Sequence, residues 1–385
     1  MIAVIGASGA VGRPAVLALR AASDEPLRLG GRREAPLREL ADEVGGRVET
    51  VTVDLMDDDA LARFCRGADV VVHCAAPAFA FGDRIAAAAL EAGADYVDVC
   101  GEEPVRAGLV ARGLAADAVR DGRRAVVSTG VVPGLSGLLP RLAAEGLRGP
   151  LRLRGWVGGV EACSPGVALD VPLSLAAGGP GSTAYGTPLA AWSGGRRVER
   201  ALRAEEDATA PFFAGRVALQ PYLSAETERI ARGRGRGRGF ADARWWNVHP
   251  GPAVRDALNR LPALLAGEDG AAAAADALIR AGDLDLLGNR PFHVLAVSVD
   301  GTDDEGAPVE RAIVLHSDDS YVLAGRLAAI TVREIRAGAV PPGVGFAHDV
   351  LDPQRVLDLV VASGASTVTR IDDAGDAGEM VEEDL

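Results

Sequence analysis

Three glycines, Gly6, Gly9 and Gly12, follow the apolar run Ile2-Ala3-Val4-Ile5 and precede a helical pattern from Pro14 to Arg20. A strand that passes through such a spacing into a helix is suited to holding a diphosphate. Gly6 makes the tight turn, Gly9 lets backbone approach the phosphates, and Gly12 lets the helix pack closely on the sheet. The helix start offers N–H groups and a positive dipole end to an anion. Ser8, Ala10 and Val11 line the same loop. A glycine-rich turn that binds nothing is the plainer alternative.

A site of the NAD type carries Asp or Glu about 20 residues beyond the glycines, for the ribose 2′-hydroxyl. No acid stands there; Arg32 and Arg33 follow the run Pro26–Gly31 instead. A guanidinium pairs with a 2′-phosphate, often through two parallel hydrogen bonds. The expected cofactor is therefore NADP (NADPH), unless the arginines are only solvated surface charges. Asp54 and Leu55 end the third strand, where such folds pass the adenine.

Candidates for proton transfer are fewer. Tyr96 and Asp98 alternate with Val97 and Val99 and so share a strand face. Asp98, Cys100 and Glu102 fall where that strand meets the ligand edge. Asp98 or Glu102 is expected to pass a proton or hold a substrate ammonium. Alternatively, Glu102-Glu103-Pro104 only starts a helix with favourable charge. His249 closes Trp245-Trp246-Asn247-Val248-His249 and is a further candidate acid, set against a plain core strand.

Composition narrows the chemistry. The chain has 385 residues, 48% apolar but only 4% aromatic, so it can hold two domains and a core of Ala, Val and Leu. A net charge of −14 argues against nucleic-acid and membrane-surface partners. Every basic side chain of the Lys+Arg total is arginine. A Schiff-base lysine, a P-loop lysine and a Tyr-x-x-x-Lys pair are thereby excluded. Cys65, Cys74, Cys100 and Cys163 lack metal-ligand spacing, which leads us to expect no metal site and reduced thiols in a cytoplasmic protein. With the first strand at residue 2, no secretory leader is expected. No apolar run approaches the ~20 residues of a membrane span.

Residues 1–130 alternate strand and helix: strands at 2–5, 27–30, 47–53, 69–74, 95–99 and 124–128, helices at 12–22, 34–43, 57–66, 82–92 and 104–121. That order implies an α/β fold, a Rossmann-type doubly wound parallel sheet, with ligand at its carboxyl edge. Beyond it, a helix at 137–146 and strands at 151–157, 190–199, 215–223, 243–249, 291–299 and 308–316 imply a second α+β substrate domain. A helix at 320–337, a rigid connector at 341–348 and a last helix at 353–363 follow. The expected division is 1–134 for dinucleotide binding with 338–365 packing back on it, 135–337 for substrate and dimerisation, and 372–385 as an acidic disordered tail. The run Arg232–Gly239 of alternating Arg and Gly reads as a surface loop rather than an RNA-binding tract.

Four blocks resemble the saccharopine dehydrogenase-like family of NAD(P)-dependent oxidoreductases. They are Gly6–Gly12; Val70–Pro77; Ala92–Asp98 with Gly101-Glu102; and Gly130–Ser136. The resemblance implies that Cys74, Ala75, Ala76 and Pro77 lie along the cofactor, and that Gly130 and Pro133 stand near the nicotinamide at the turn into the substrate domain. It also implies hydride transfer at carbon, often at a C–N bond. The Lys/His pair of the lysine-forming members does not carry over to a chain without lysine. The resulting expectation is an NADPH-dependent oxidoreductase that reduces a small-molecule C=N bond, as a tailoring enzyme and a homodimer. An enoyl or carbonyl reductase and a non-catalytic NADP-binding redox sensor are the alternatives.

Overall fold

The computed structural model describes residues 1–176, 185–233, 238–267 and 269–372. The expected acidic tail, apart from its first residue, and the centre of the Arg–Gly run lie outside these residues. In chain order the first elements are β1 (Ile2–Ile5), α1 (Gly12–Ala22), β2 (Leu27–Gly31), α2 (Glu34–Val44), β3 (Val48–Thr52), α3 (Asp58–Cys65), β4 (Val70–His73), α4 (Arg84–Glu91), β5 (Asp95–Asp98), α5 (Glu103–Ala111), α6 (Leu114–Arg120) and β6 (Arg124–Val127). Next come α7 (Leu135–Ala143), β7 (Arg148–Val160), α8 (Pro165–Ala176), β8 (Gly186–Pro188), β9 (Ala191–Ser193), β10 (Arg196–Val198), β11 (Glu205–Ala208), β12 (Val217–Ser224), α9 (Ala225–Ala231), β13 (Asp242–His249), α10 (Pro252–Leu265), α11 (Gly270–Leu286), β14 (Phe292–Thr302) and β15 (Pro308–Ser317). The chain then forms α12 (Ser320–Arg336), β16 (Gly343–Phe346), α13 (Ala347–Val350), α14 (Pro353–Ala362) and β17 (Thr367–Asp372).

The chain divides into two units. The first takes Met1–Leu135 and Ser320–Ser363; the second takes Ser136–Asp319 and the residues from Gly364 on. In the first, seven parallel strands run in the order β16-β6-β5-β4-β1-β2-β3. The order reverses between β1 and β4, the place where open α/β sheets bind ligands. Strand β4 is fully buried, as parallel strands covered on both faces must be. One face packs Ile5, Val71 and Tyr96 against Phe64, Ile85 and Leu109 of the helices. Local signals stop and start those helices: Asp57 caps α3 by accepting from Ala60 N at 3.0 Å, and Asp352 caps α14 ahead of Pro353.

The second unit is a ten-stranded mixed sheet with the path β10-β9-β13-β7-β14-β15-β17. Strand β7 pairs in parallel with β13 and antiparallel with β14. Alternation sorts its two faces. On one, Trp156 stacks on Trp246 (5.6 Å between centroids, 12° between planes) beside Val248, Val294 and Ala296. On the other, the Trp245 ring lies flat on Gly155, where a Cβ would come within 2.1 Å of it. Helices α8, α10 and α11 pack together through Ala168, Leu261 and Leu278. Asp285 of α11 caps α10 by accepting from Ala253 N and Val254 N at 2.9 and 2.8 Å.

The fold class matches the expectation, while several boundaries move. The helix expected over 104–121 breaks at Gly113, whose φ of 79° ends one helix and begins the next. The strand expected at 190–199 is a hairpin, β9–β10, turning through Gly194 and Gly195 with φ of 57° and 79°. The expected connector at 341–348 contains β16, which pairs with β6 and forms an edge of the parallel sheet. The return to the first unit begins at Ser320 rather than at 338, because α12 packs on α1 through small residues. Gly325 is the closest point: a Cβ there would sit 2.5 Å from Val11 O and 2.8 Å from Ala15 N. Residues from Gly364 on, expected to start with the first domain, place β17 beside β15 in the second. No helix among the described residues is long and apolar enough to cross a membrane.

Gly325→Val should therefore lower stability by about 1–3 kcal/mol through overpacking. An unchanged urea midpoint would contradict the close α1–α12 contact.

Candidate functional site

The loop after β1 is shaped by what cannot be there. Gly6 has φ 74°, and a Cβ on it would lie 2.6 Å from Ala75 N. A Cβ on Gly12 would lie 2.0 Å from Gly6 O. Gly6 N and Ala7 N both donate to Gly30 O, at 2.9 and 3.1 Å, and Gly9 N donates to Gly6 O at 2.9 Å. The outer side stays open: Gly9 and Ala10 are exposed, Ser8 and Val11 half-buried. No side chain caps the start of α1, and its first turn carries no acid. Arg13 N donates to Gly9 O at 3.0 Å and Pro14 has no N–H, so the end of α1 offers an anion its positive dipole and the few N–H groups ahead of Arg13.

Arg32 and Arg33 leave the end of β2 exposed, with no ion-pair partner among the described residues. Nearby arginines are engaged: Arg13 with Glu43, Arg28 with Glu49, Arg38 with Glu34. Two uncommitted guanidinium groups beside a diphosphate loop fit a 2′-phosphate. Asp54 is exposed and spends a carboxylate oxygen on Met56 N at 2.9 Å, turning the chain after β3, while Leu55 is buried. After β4, Cys74 N donates to Ile5 O at 2.9 Å, which seats Ala75, Ala76 and Pro77 next to the glycine loop. Burial pushes the Cys74 thiol up to about 12, so it is an inert thiol.

The ends of β5 and β6 are joined by Asp98, which is 1% exposed. Its Oδ1 accepts from Gly101 N and, at 3.2 Å, from Ser128 N. Its backbone carbonyl accepts from Thr129 N and Thr129 Oγ1 at 2.8 and 2.7 Å. Ser128, at φ 65°, donates from Oγ to Gly101 O. Beyond it Gly130 N donates to Pro133 O at 3.0 Å, closing the turn. Gly130 and Pro133 are buried there, with a Cβ on Gly130 landing 2.4 Å from Val99 O.

Burial raises the Asp98 carboxyl to about 6, outweighing the backbone N–H groups of Gly101, Ser128 and Cys100 and the Tyr96 hydroxyl, which favour its charge. Asp98 Oδ2 is buried with no hydrogen-bond partner among the described residues. Behind it, Tyr96 Oη and His73 Nδ1 lie 3.0 Å apart, with Phe81 edge-on to the His73 ring. Burial pushes His73 down to about 4 and Tyr96 upward, so both stay neutral near pH 7.

Glu102 stands half-buried at the start of α5, where its carbonyl accepts from Val105 N and Arg106 N. His249 ends β13 in the other unit; burial pushes it down to about 4, so its ring is neutral and carries no proton to donate from an imidazolium. The structure therefore gathers the glycine loop, Arg32 and Arg33, the 74–77 turn, Asp98, Glu102 and the Gly130–Pro133 turn along one edge of one sheet. Ser128 and Gly101 belong with them and were not singled out from the sequence. A glycine and a serine in short loops carry no periodic signal; only the paired strand ends show that both serve Asp98. Among the described residues no group of His, Cys, Asp and Glu is arranged to hold a metal ion.

Residues 2–126 match the family model described as the saccharopine dehydrogenase NADP binding domain. A protein of Arabidopsis thaliana named a probable mitochondrial saccharopine dehydrogenase-like oxidoreductase is 30% identical over 112 residues, 26% of this chain. The matched stretch spans only 25% of that relative. The structure of apo saccharopine dehydrogenase (L-Glu forming) from Saccharomyces cerevisiae superposes with a TM-score of 0.67 at 15% identity, covering 96% of this chain and 99% of that one. At such identity the likeness is one of fold, and it extends over both units. The resemblance drawn from the sequence blocks holds, and residues 2–126 match an NADP-binding domain of this type.

Asp98 supplies a pH test. Its carboxyl releases its proton near 3.8 when unfolded but near 6 when folded. Wild-type stability attributable to Asp98 is thus present below about pH 4 and lost as pH rises to about 6, about 3 kcal/mol in all. Asp98→Asn has no such slope. Urea unfolding should show the variant gaining about that amount relative to wild type between pH 4 and pH 7. A constant difference would mean that Asp98 is not raised. His73 and His249 contribute the opposite slope equally to both proteins.

Proposed function

We propose that this chain is an NADPH-dependent oxidoreductase that reduces a C=N bond in a small molecule, an imine or imino acid. The observation that carries the reading is the open glycine loop with two uncommitted guanidinium groups, Arg32 and Arg33, at the end of the next strand. Gly6 and Gly12 let the backbone of β1, the 74–75 turn and α1 approach closely, the exposed Gly9 leaves room for a pyrophosphate at the start of α1, and the arginines select the 2′-phosphate over a hydroxyl. When bound, the cofactor supplies the hydride. The protein's part is orientation, exclusion of water and control of one proton.

For that proton we propose Asp98, with Glu102 as the neighbouring acid. With its carboxyl raised to about 6, roughly a tenth of Asp98 is protonated at pH 7. A general acid works best when its pKa lies near the working pH, and the unpartnered Oδ2 is the atom available. An iminium already carries its positive charge, so one weak acid suffices. The yeast enzyme of similar fold is named as L-Glu forming, which favours C–N over C=C or C=O chemistry. The lack of lysine excludes a Schiff base to the protein. Four cysteines outside any disulfide support a reducing, cytoplasmic setting. A homodimer built on the second unit is part of the proposal, and light scattering on the purified chain tests it.

Arg32→Ala should raise the KM for NADPH roughly tenfold or more and leave that for NADH nearly unchanged. Equal effects on both cofactors would remove the arginine from the 2′-phosphate. Turnover of cyclic imines or imino acids with C4-deuterated NADPH should place the label on the carbon bonded to nitrogen. NADPH binding without consumption across such a panel would reject the reaction.

A further inference from the structure

Helix α12 brings a polar side chain from far along the chain to the glycine loop of the first unit. Two contacts fix how it lies beside α1. At one end, Gly325 meets the start of α1 so closely that a Cβ on it would be 2.5 Å from Val11 O and 2.9 Å from Pro14 Cβ. At the other, Arg336 Nη2 donates to Glu25 Oε2 at 2.5 Å, just past the end of α1. Residue numbers rise together along the two helices, so they run parallel and in step. Both therefore start at the carboxyl edge of the sheet, where the chain leaves β1.

Tyr321 stands one helical turn ahead of Gly325 and on the same side of α12, because residues four apart share a face. Four residues span about 6 Å of helix, and α1 itself begins at Gly12, within the stretch that Gly325 touches. Tyr321 is thus carried past the start of α1, and a helical side chain leans further toward the start of its own helix. It is half-buried there, while the loop residues ahead of α1, Gly9 and Ala10, are exposed. Apart from chain neighbours, a Cβ on Gly9 would find only Gly6 O within 4 Å, so the space off that loop is open.

Helix α12 also packs against β5, the strand that ends in Asp98. Its first turn therefore borders the path from the diphosphate loop to the proposed proton donor. A phenol serves as donor or acceptor. Whichever way its hydroxyl is turned, phosphate oxygens can accept from it and ribose hydroxyls can donate to it. We infer that Tyr321 is a cofactor-binding residue whose hydroxyl holds the nicotinamide-side phosphoribosyl group, complementing the adenosine-side contacts of Arg32 and Arg33. The inference rests on the oxidoreductase reading above for the identity of the cofactor. It extends the cofactor site to α12, which lies outside the matched residues 2–126.

Four tyrosines make the test direct. The full chain is labelled with 3-fluorotyrosine, and the fluorine signals are assigned by replacing each tyrosine in turn with Phe. The probes are NADP+, NAD+ and adenosine 2′,5′-bisphosphate, which lacks the nicotinamide half. The Tyr321 signal should shift saturably with both dinucleotides and stay still with the bisphosphate. By calorimetry, Tyr321→Phe should bind NADP+ and NAD+ roughly tenfold more weakly and the bisphosphate as wild type does. Arg32→Ala, by contrast, should weaken NADP+ and the bisphosphate and spare NAD+. A still Tyr321 signal at saturating NADP+, an equal response to the bisphosphate, or unchanged dinucleotide affinity in Tyr321→Phe would each overturn the assignment. Binding of NADP+ with an indifferent Tyr321 sinks this contact alone. Failure of wild type to bind any of the three probes sinks the oxidoreductase reading, and the contact with it.

Discussion

At the switch point of the parallel sheet, the Gly6 backbone passes so near the 74–75 turn that no side chain fits between them. The rest of the first unit depends on that approach. It fixes the height at which the chain leaves β1, and Gly12 then brings α1 down onto the Gly6 carbonyl. Helix α12, through Gly325, closes over the first turn of α1 from the other side. Two glycines of one loop, with Gly325 from far along the chain, thus set one anion-binding helix end. No side chain caps that end, which keeps its positive dipole open to an anion.

A second constraint operates where β5 and β6 end. Asp98 is buried without a cation, an arrangement that would be costly if it served packing alone. Its compensation is partial: Gly101 N and Ser128 N bond Oδ1, and the Cys100 N–H and the Tyr96 hydroxyl also favour the charge, yet burial outweighs them all. That leaves a carboxyl that ties together the 99–102 and 128–130 loops and still titrates near neutrality. Its neighbours His73 and Tyr96 are held neutral by the same burial, so the row behind the strand ends presents dipoles rather than charges.

Much of this was legible in the sequence where physics is local. The glycine spacing, the missing acid at Arg32 and the alternation of strand and helix over the first 130 residues depend on neighbours a few positions away. Readings failed where long-range pairing decides. Pro341-Pro342-Gly343 reads as a connector, yet the residues just after it pair with β6 because that edge lacked a strand. Gly113 lies inside an unbroken helical pattern and only its positive φ shows the break. Tyr321 opens a helix far from the glycine loop in sequence; only the parallel packing of α12 on α1 brings it there. Asp98 was visible as a candidate, but not that Gly101 and Ser128 are its partners.

The parallel sheet borrows its outermost strand, β16, from residues 343–346, after the whole second sheet except β17 has been laid down. On the ribosome, the nucleotide-binding half therefore emerges first but stays one strand and several helices short of completion until almost the entire polypeptide has been made. A premature stop anywhere between the two halves leaves β6 with a bare edge, the kind of surface that recruits other chains. The architecture of the first sheet is finished only on a chain that already carries most of the second sheet.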